Sequence, residues 1–325
     1  MNAYLNYISY YLPEKSLSNE NIAAQFPEWE VDKIADKIGV KTRKIAAEDE
    51  FVSDMSIKAA NSLIEESNID KSTIDFIILC TQNPDYKLPT TACILQHKIG
   101  LGTHTGAIDI NLGCSGYIYG IALAKSLIVS GIAKKVLFIT ADVYSKIIAP
   151  EDKSNLTIFG DAATASIISA DKIGFKINDF ELGTDGSGFE KLILKNGGAA
   201  HPVLNKSADD YLHMNGADIF AFTNKAVPVM VSNILEKSAL KEDDISYYIF
   251  HQANKFMLNS IRKKMNIPEE KFIVDMEDTG NTVSSTIPIV IKRCLKKNIF
   301  KPQQQILIAG FGVGLSWGAN ILTYE

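Results

Sequence analysis

Long apolar runs are missing from this 325-residue chain. No stretch approaches the roughly 18 uninterrupted apolar residues of a membrane-spanning helix, so no such helix is expected. Basic runs are scarce as well. The largest cluster is Arg262-Lys263-Lys264, and the formal net charge is −5. That argues against a nucleic-acid tail and leaves scope for a local acidic partner. Cysteine is sparse: Cys80, Cys93, Cys114 and Cys294 are scattered, with no Cys-x-x-Cys pair. Neither a zinc site nor a disulfide framework is expected, and a reducing cytosolic compartment is the simplest setting. Met1-Asn2-Ala3-Tyr4-Leu5-Asn6-Tyr7 lacks a basic segment and a long apolar core, so it does not read as a signal peptide.

Hydrophobic residues make up 46% of the chain, enough for one large core or two fused ones. The chain also echoes itself. Asn61–Ile69 and Ser232–Leu240 both read as amphipathic helix ends, 171 positions apart. At the same offset, the apolar run Ile74–Leu79 is matched by Ile245–Phe250. Further strand candidates follow in the same order in each part: Ala107–Leu112 and Phe272–Met276, Lys135–Thr140 and Gln305–Gly310, Ala163–Ser169 and Gly318–Tyr324. Near-continuous apolar strands separated by helices belong to sheets covered on both faces. We therefore expect an α/β fold of two similar halves, residues 1–170 and 171–325.

In such folds, chemistry collects beyond the carboxyl ends of strands. Cys114 lies there, in Asn111-Leu112-Gly113-Cys114-Ser115-Gly116, which reads as strand, turn, helix. A helix N-terminus favours a thiolate. A buried free cysteine acting as a small hydrophobe fits the local pattern too. His251 ends the strand Ile245–Phe250, and a lone histidine there has a structural reading as well as a catalytic one. Asn281 follows Phe272–Met276 and by itself suits a turn or helix cap. Together the three suit acyl transfer. Cys114 would carry an acyl group as a thioester, and His251 and Asn281 would offer two N–H donors to one oxygen. The glycine-rich segment Ala309–Gly318 has no Lys-Ser/Thr pair and is no phosphate loop. It reads either as a tight strand connection or as a close backbone approach to a ligand.

These contexts, with Phe159-Gly160-Asp161-Ala162-Ala163 and Gly310–Gly318, resemble the β-ketoacyl-acyl-carrier-protein synthase III family of the thiolase superfamily. The resemblance runs from Tyr11-Leu12-Pro13 and Gly39–Ala46 to the C-terminus. His251-Gln252-Ala253-Asn254, with Gly280-Asn281 30 residues beyond His251, separates this branch from the Cys-His-His synthases. It implies a five-layered αβαβα thiolase-like fold, a homodimer and an acyl carrier protein as partner, with no bound cofactor. The implied reaction loads an acyl group from acyl-coenzyme A or an acyl-carrier protein onto Cys114. Malonyl-carrier protein then condenses by losing CO2, with His251 and Asn281 on the enolate oxygen. A papain-type hydrolase and a non-catalytic partner subunit fit less well, the first for want of a pro-segment and the second because Cys114 is retained.

On the same footing, Leu88, Phe159, Gly312, Val313, Gly314, Lys37 and Asn254 are expected to touch substrate. Lys255, Arg262, Lys263 and Lys264 would form a carrier-protein docking face, or else an ordinary solvated helix face. Three departures stand out. Lys33 occupies the position where housekeeping members stack an adenine on a tryptophan, and Trp29 is shifted. Leu88 replaces an aromatic that caps the acyl pocket across the dimer in some members. Val313 stands where many members have glycine. These departures point to a specialised pathway. The alternative reading is an acyltransferase on the same scaffold that forms an ester or amide without decarboxylation.

Overall fold

A computed structural model describes residues 1–28 and 30–325, with the side chains of residues 32–34 left aside. The expectations placed on Trp29 and on the Lys33 side chain lie outside the described residues. In chain order the elements are β1 (Tyr4–Tyr11), β2 (Ser16–Ser18), α1 (Asn19–Gln25), α2 (Val31–Ile38), β3 (Thr42–Lys44), α3 (Val52–Ser67), β4 (Phe76–Cys80), α4 (Thr91–Ile99), β5 (Gly106–Ile110), α5 (Gly116–Val129), β6 (Lys135–Asp142), α6 (Lys153–Leu156) and β7 (Ala162–Ser169). They continue with β8 (Phe175–Thr184), β9 (Leu192–Ile193), β10 (His213–Met214), α7 (Gly216–Lys237), β11 (Ile245–Phe250), α8 (Lys255–Lys264), α9 (Thr286–Lys296), β12 (Gln305–Gly312) and β13 (Ser316–Tyr324).

The main sheet runs β11-β12-β13-β8-β1-β7-β6-β4-β5. At its centre β1 and β8 meet over only two residue pairs, Tyr4 with Lys176 and Leu5 with Phe175. Two sheets are joined there at one seam. Side-chain alternation shows why each must be covered on both faces. In β4, Ile77 and Leu79 pack under α3 and α4, while Ile78 and Cys80 pack against α5. In β12, Leu307 and Ala309 pack under α7 and α8, while Ile306 and Ile308 face α5 and α9. Three buried clusters thus mark three helix layers around two sheet layers, the five-layered αβαβα architecture. No helix among the described residues is long and apolar enough to cross a membrane.

The internal echo survives in backbone detail. Asn68 and Ala239, 171 positions apart, both take left-handed conformations with φ of 53°. Each closes a helix in the same way: Ile69 N–H donates to Ile64 O, and Leu240 N–H donates to Leu235 O.

One strand expectation fails. Phe272–Met276 forms no strand and makes only a single bridge, Tyr248 to Phe272. The Gln252 side chain takes over the pairing that a strand would have made. Its amide donates to Ile273 O at 3.3 Å and accepts from Asp275 N–H at 2.8 Å. The glycine-rich segment is mainly strand as well. Gly310 and Gly312 belong to β12, and only residues 313–315 turn.

The central helix α5 is pressed against β6. A Cβ on Gly120 would stand 2.0 Å from the ring of Phe138, which is fully buried. Gly120→Ala should therefore destabilise the protein by about 1–3 kcal/mol through overpacking, read as a lower urea midpoint. The Gly120→Ala/Phe138→Leu double variant should recover part of the loss. Equal midpoints for wild type and Gly120→Ala would contradict this packing.

Candidate active site

Cys114 sits in the turn between β5 and α5, one residue before the α5 cap Ser115. It is only 6% exposed. The end of β12 passes directly over it. A Cβ on Gly312 would stand 2.8 Å from both Cβ and Sγ of Cys114, so no larger residue fits there. The Val313 backbone N–H lies close enough to the sulfur to favour its charged form. Ser115 Oγ and Ser316 Oγ are 2.7 Å apart, tying the turn to the start of β13.

Burial pushes the Cys114 thiol up to about 12, the buried Asp142 carboxylate adds to the rise, and the Val313 N–H works the other way. The expected preference for a thiolate at a helix N-terminus is therefore reversed at rest: desolvation outweighs the helix end. His251, at the end of β11, is 1% exposed. Burial lowers its imidazole to about 3, so it is neutral. Cys114 and His251 rest as an uncharged pair.

His251 Nδ1 lies 2.8 Å from Thr286 Oγ1 at the start of α9. The Phe311 ring meets the imidazole edge-on, with centroids 5.9 Å apart. Asn281 is held through its backbone by the segment around Phe159: Asn281 N–H donates to Ile158 O at 2.9 Å, and Gly160 N–H donates to Asn281 O at 3.0 Å. Its Oδ1 accepts from Val283 N–H at 2.9 Å. Its Nδ2 makes only a long contact, 3.4 Å to Ala253 O. The amide carbonyl is thus occupied, and the NH2 group is the part left to donate.

Cys114, His251 and Asn281 line one cavity of about 100 Å³, walled otherwise by Phe159, Leu192, Met214, Ile219, Thr223 and Phe311 among others. This cavity adjoins an outer cleft of about 750 Å³, with Ile158, Gly216, Asn254 and Met257 in both walls. A substrate arm can reach the sulfur by that route. Of the expected contacts, Phe159, Gly312 and Asn254 line the inner cavity, and Lys37 lines the outer cleft. Val313 and Gly314 are in neither wall, although the Val313 N–H reaches the sulfur. Leu88 is 82% exposed and lines neither cavity of this chain, because it sits on the outward loop between β4 and α4.

On α8, Lys255, Lys263 and Lys264 are exposed. Arg262 turns inward, its side chain 15% exposed, and its guanidinium bonds Ile267 O and Glu269. Sequence reasoning missed Leu192, Met214 and Ile219, which arrive from the two-residue strands β9 and β10 and from one face of a long helix and carry no motif. It also missed Thr286, which stands only five residues beyond Asn281.

The description "3-Oxoacyl-[acyl-carrier-protein (ACP)] synthase III" matches residues 108–186, which include Cys114. Its C-terminal counterpart matches residues 235–324, which include His251 and Asn281. The chain belongs to the 3-oxoacyl-[acyl-carrier-protein] synthase III family. A β-ketoacyl-[acyl-carrier-protein] synthase III of Caldanaerobacter subterraneus is 33% identical over 97% of this chain and 96% of its own. Its Fusobacterium nucleatum counterpart is 34% identical over 98% and 97%. A crystal structure of a 3-oxoacyl-(acyl-carrier-protein) synthase III superposes with a TM-score of 0.96 at 42% identity, over 99% of this chain and 100% of that one. The corresponding synthase of Burkholderia xenovorans gives 0.92 at 34% identity, over 99% and 94%.

In this family member, the raised Cys114 pKa makes a direct prediction. Below that pKa the thiolate fraction rises tenfold per pH unit, so Cys114 alkylation by iodoacetamide should still be climbing at about pH 9. A plateau with its midpoint below neutrality would contradict the resting thiol.

Proposed function

We propose that this protein is a β-ketoacyl-acyl-carrier-protein synthase III that condenses an acyl primer with malonyl-carrier protein. The observation that carries the reading is the convergence of Cys114, His251 and Asn281 on one small, largely apolar cavity beside a larger cleft. The Cys114 sulfur attacks the primer thioester carbonyl, the donor's C–S bond breaks, and the departing thiolate receives the Cys114 proton. Malonyl-carrier protein then loses CO2. The enolate oxygen lies between an N–H of His251 and the Nδ2–H of Asn281. The enolate carbon attacks the Cys114 thioester, a C–C bond forms, and the sulfur leaves and takes a proton from solvent. The steps use the chain's own groups, its two thioester substrates and one solvent proton.

Several finer features belong to the same reading. Residues 1–170 carry the nucleophile and residues 171–325 its two partners, with the break between β7 and β8. Lys255, Lys263 and Lys264 offer an acidic carrier protein an exposed basic face, with Arg262 left to hold the end of α8. The edge strand β5, with Ile108 39% exposed, fits pairing with a second copy, and Leu88 then reaches toward the partner. The leucine at that position supports a specialised primer. The free cysteines fit a cytosolic setting.

Intact-mass measurement after incubation with acyl-coenzyme A and acyl-carrier-protein thioesters tests the first half-reaction. One acyl group should add to wild type and none to Cys114→Ala. Asn281→Ala should lower malonyl decarboxylation by roughly 100- to 1000-fold while acylation persists. Equal loss of both steps, or no acylation by any thioester, would sink the assignment.

A further inference from the structure

The two sides of the His251 ring are held very differently. Nδ1 faces Thr286 Oγ1 at 2.8 Å. The same hydroxyl donates to Val283 O at 3.1 Å, and that carbonyl is close enough to favour the protonated ring, against the larger effect of burial. Nε2 is the nitrogen left for the cavity. Val283 is itself unusual: a fully buried β-branched residue with φ of 55°, where such residues are strained. Its N–H holds Asn281 Oδ1, and its carbonyl holds the Thr286 hydroxyl that faces His251. One residue therefore orients both groups assigned to the enolate oxygen.

A neutral imidazole has one N–H, and the partner of Nδ1 decides which nitrogen carries it. Val283 O, which shares the Nδ1 side with the Thr286 hydroxyl, can only accept, so by itself it favours the proton on Nδ1 and leaves Nε2 bare. A bare Nε2 cannot donate to an enolate. The Thr286 hydroxyl both accepts and donates. Turned toward Val283 O, it accepts from Nδ1–H; turned toward the ring, it donates to Nδ1 and leaves the proton on Nε2. We propose that Thr286 is the positioning residue that lets neutral His251 present Nε2–H to the cavity. This rests on the condensation reading given above. In the first arrangement Nε2 can take the Cys114 proton as the sulfur attacks and return it to the departing thiolate. In the second, Nε2–H faces the enolate oxygen.

Thr286→Val keeps the shape and removes the hydroxyl, and Thr286→Ser keeps the hydroxyl. Thr286→Ala serves where valine does not fold. In Thr286→Val, malonyl decarboxylation should fall about 100-fold, the cost of one oxyanion donor. Cys114 acylation should stay within about threefold of wild type, since the bare Nε2 persists. Thr286→Ser should restore decarboxylation. In protein labelled with 15N-histidine, the His251 signals, assigned by their loss in His251→Gln, should show Nε2–H populated in wild type and Thr286→Ser. In Thr286→Val the proton should be confined to Nδ1. Undiminished decarboxylation in folded Thr286→Val, equal loss of both steps, or an Nε2–H signal that survives the substitution would overturn the proposal. The ring spectrum reads the tautomer without turnover. The predicted tautomer change in a protein whose wild type never decarboxylates malonyl thioester would support the role of Thr286 and overturn the condensation reading.

Discussion

Gly312 lies so close to Cys114 that a single methyl group there would collide with the sulfur. Much of the site depends on this approach. It presses the end of β12, from the second half of the chain, onto the turn that carries the nucleophile in the first. The same approach brings the Val313 N–H to the sulfur and Ser316 to Ser115. It also sets the position of His251. That residue ends β11, which runs parallel to β12 with Phe250 opposite Ala309, and the His251 N–H bonds Ala309 O at 2.7 Å. The next residue along β12, Gly310, lies against the Cys114 backbone, where a Cβ would meet the carbonyl oxygen at 2.6 Å. The distance between nucleophile and histidine is thus set by strand register rather than by flexible side chains.

The same tightness governs the electrostatics. Burial in the cavity holds Cys114 as a thiol and His251 as a neutral ring, so neither of this pair carries a charge at rest. A buried, largely apolar cavity also strengthens the few N–H donors aimed into it when negative charge develops on substrate. In the proposed reaction, charge is created only while a substrate is present to share it. The donors are fixed beforehand. Asn281 is braced by the Phe159 segment and by Val283, and His251 is braced by Thr286.

The alternation of apolar residues and the echo at a constant offset made the two-sheet, three-helix-layer plan legible, because both follow from burial on two faces. Cys114 and His251 were legible because each follows a strand, whereas the segment before Asn281 is no strand and that residue was legible only through its Gly-Asn motif and its spacing from His251. Phe272–Met276 was misread because its composition is that of a strand, while the Gln252 side chain satisfies backbone groups that a strand would have paired. Arg262 looked available from its charge, yet its guanidinium caps its own helix end. Leu192 and Met214 carried no signal, since strands of two residues are too short to show a period. The charge state of Cys114 depends on burial that only the folded chain supplies.

The most direct measurement follows both substrates through one turnover. Wild-type protein loaded on Cys114 with an isotopically labelled acyl group is mixed with malonyl-carrier protein, and the products are identified by mass. The predicted result is a labelled β-ketoacyl-carrier protein with one CO2 released per label transferred. Label recovered as a free acid, ester or amide, with malonyl-carrier protein intact, would contradict condensation as the function of this site.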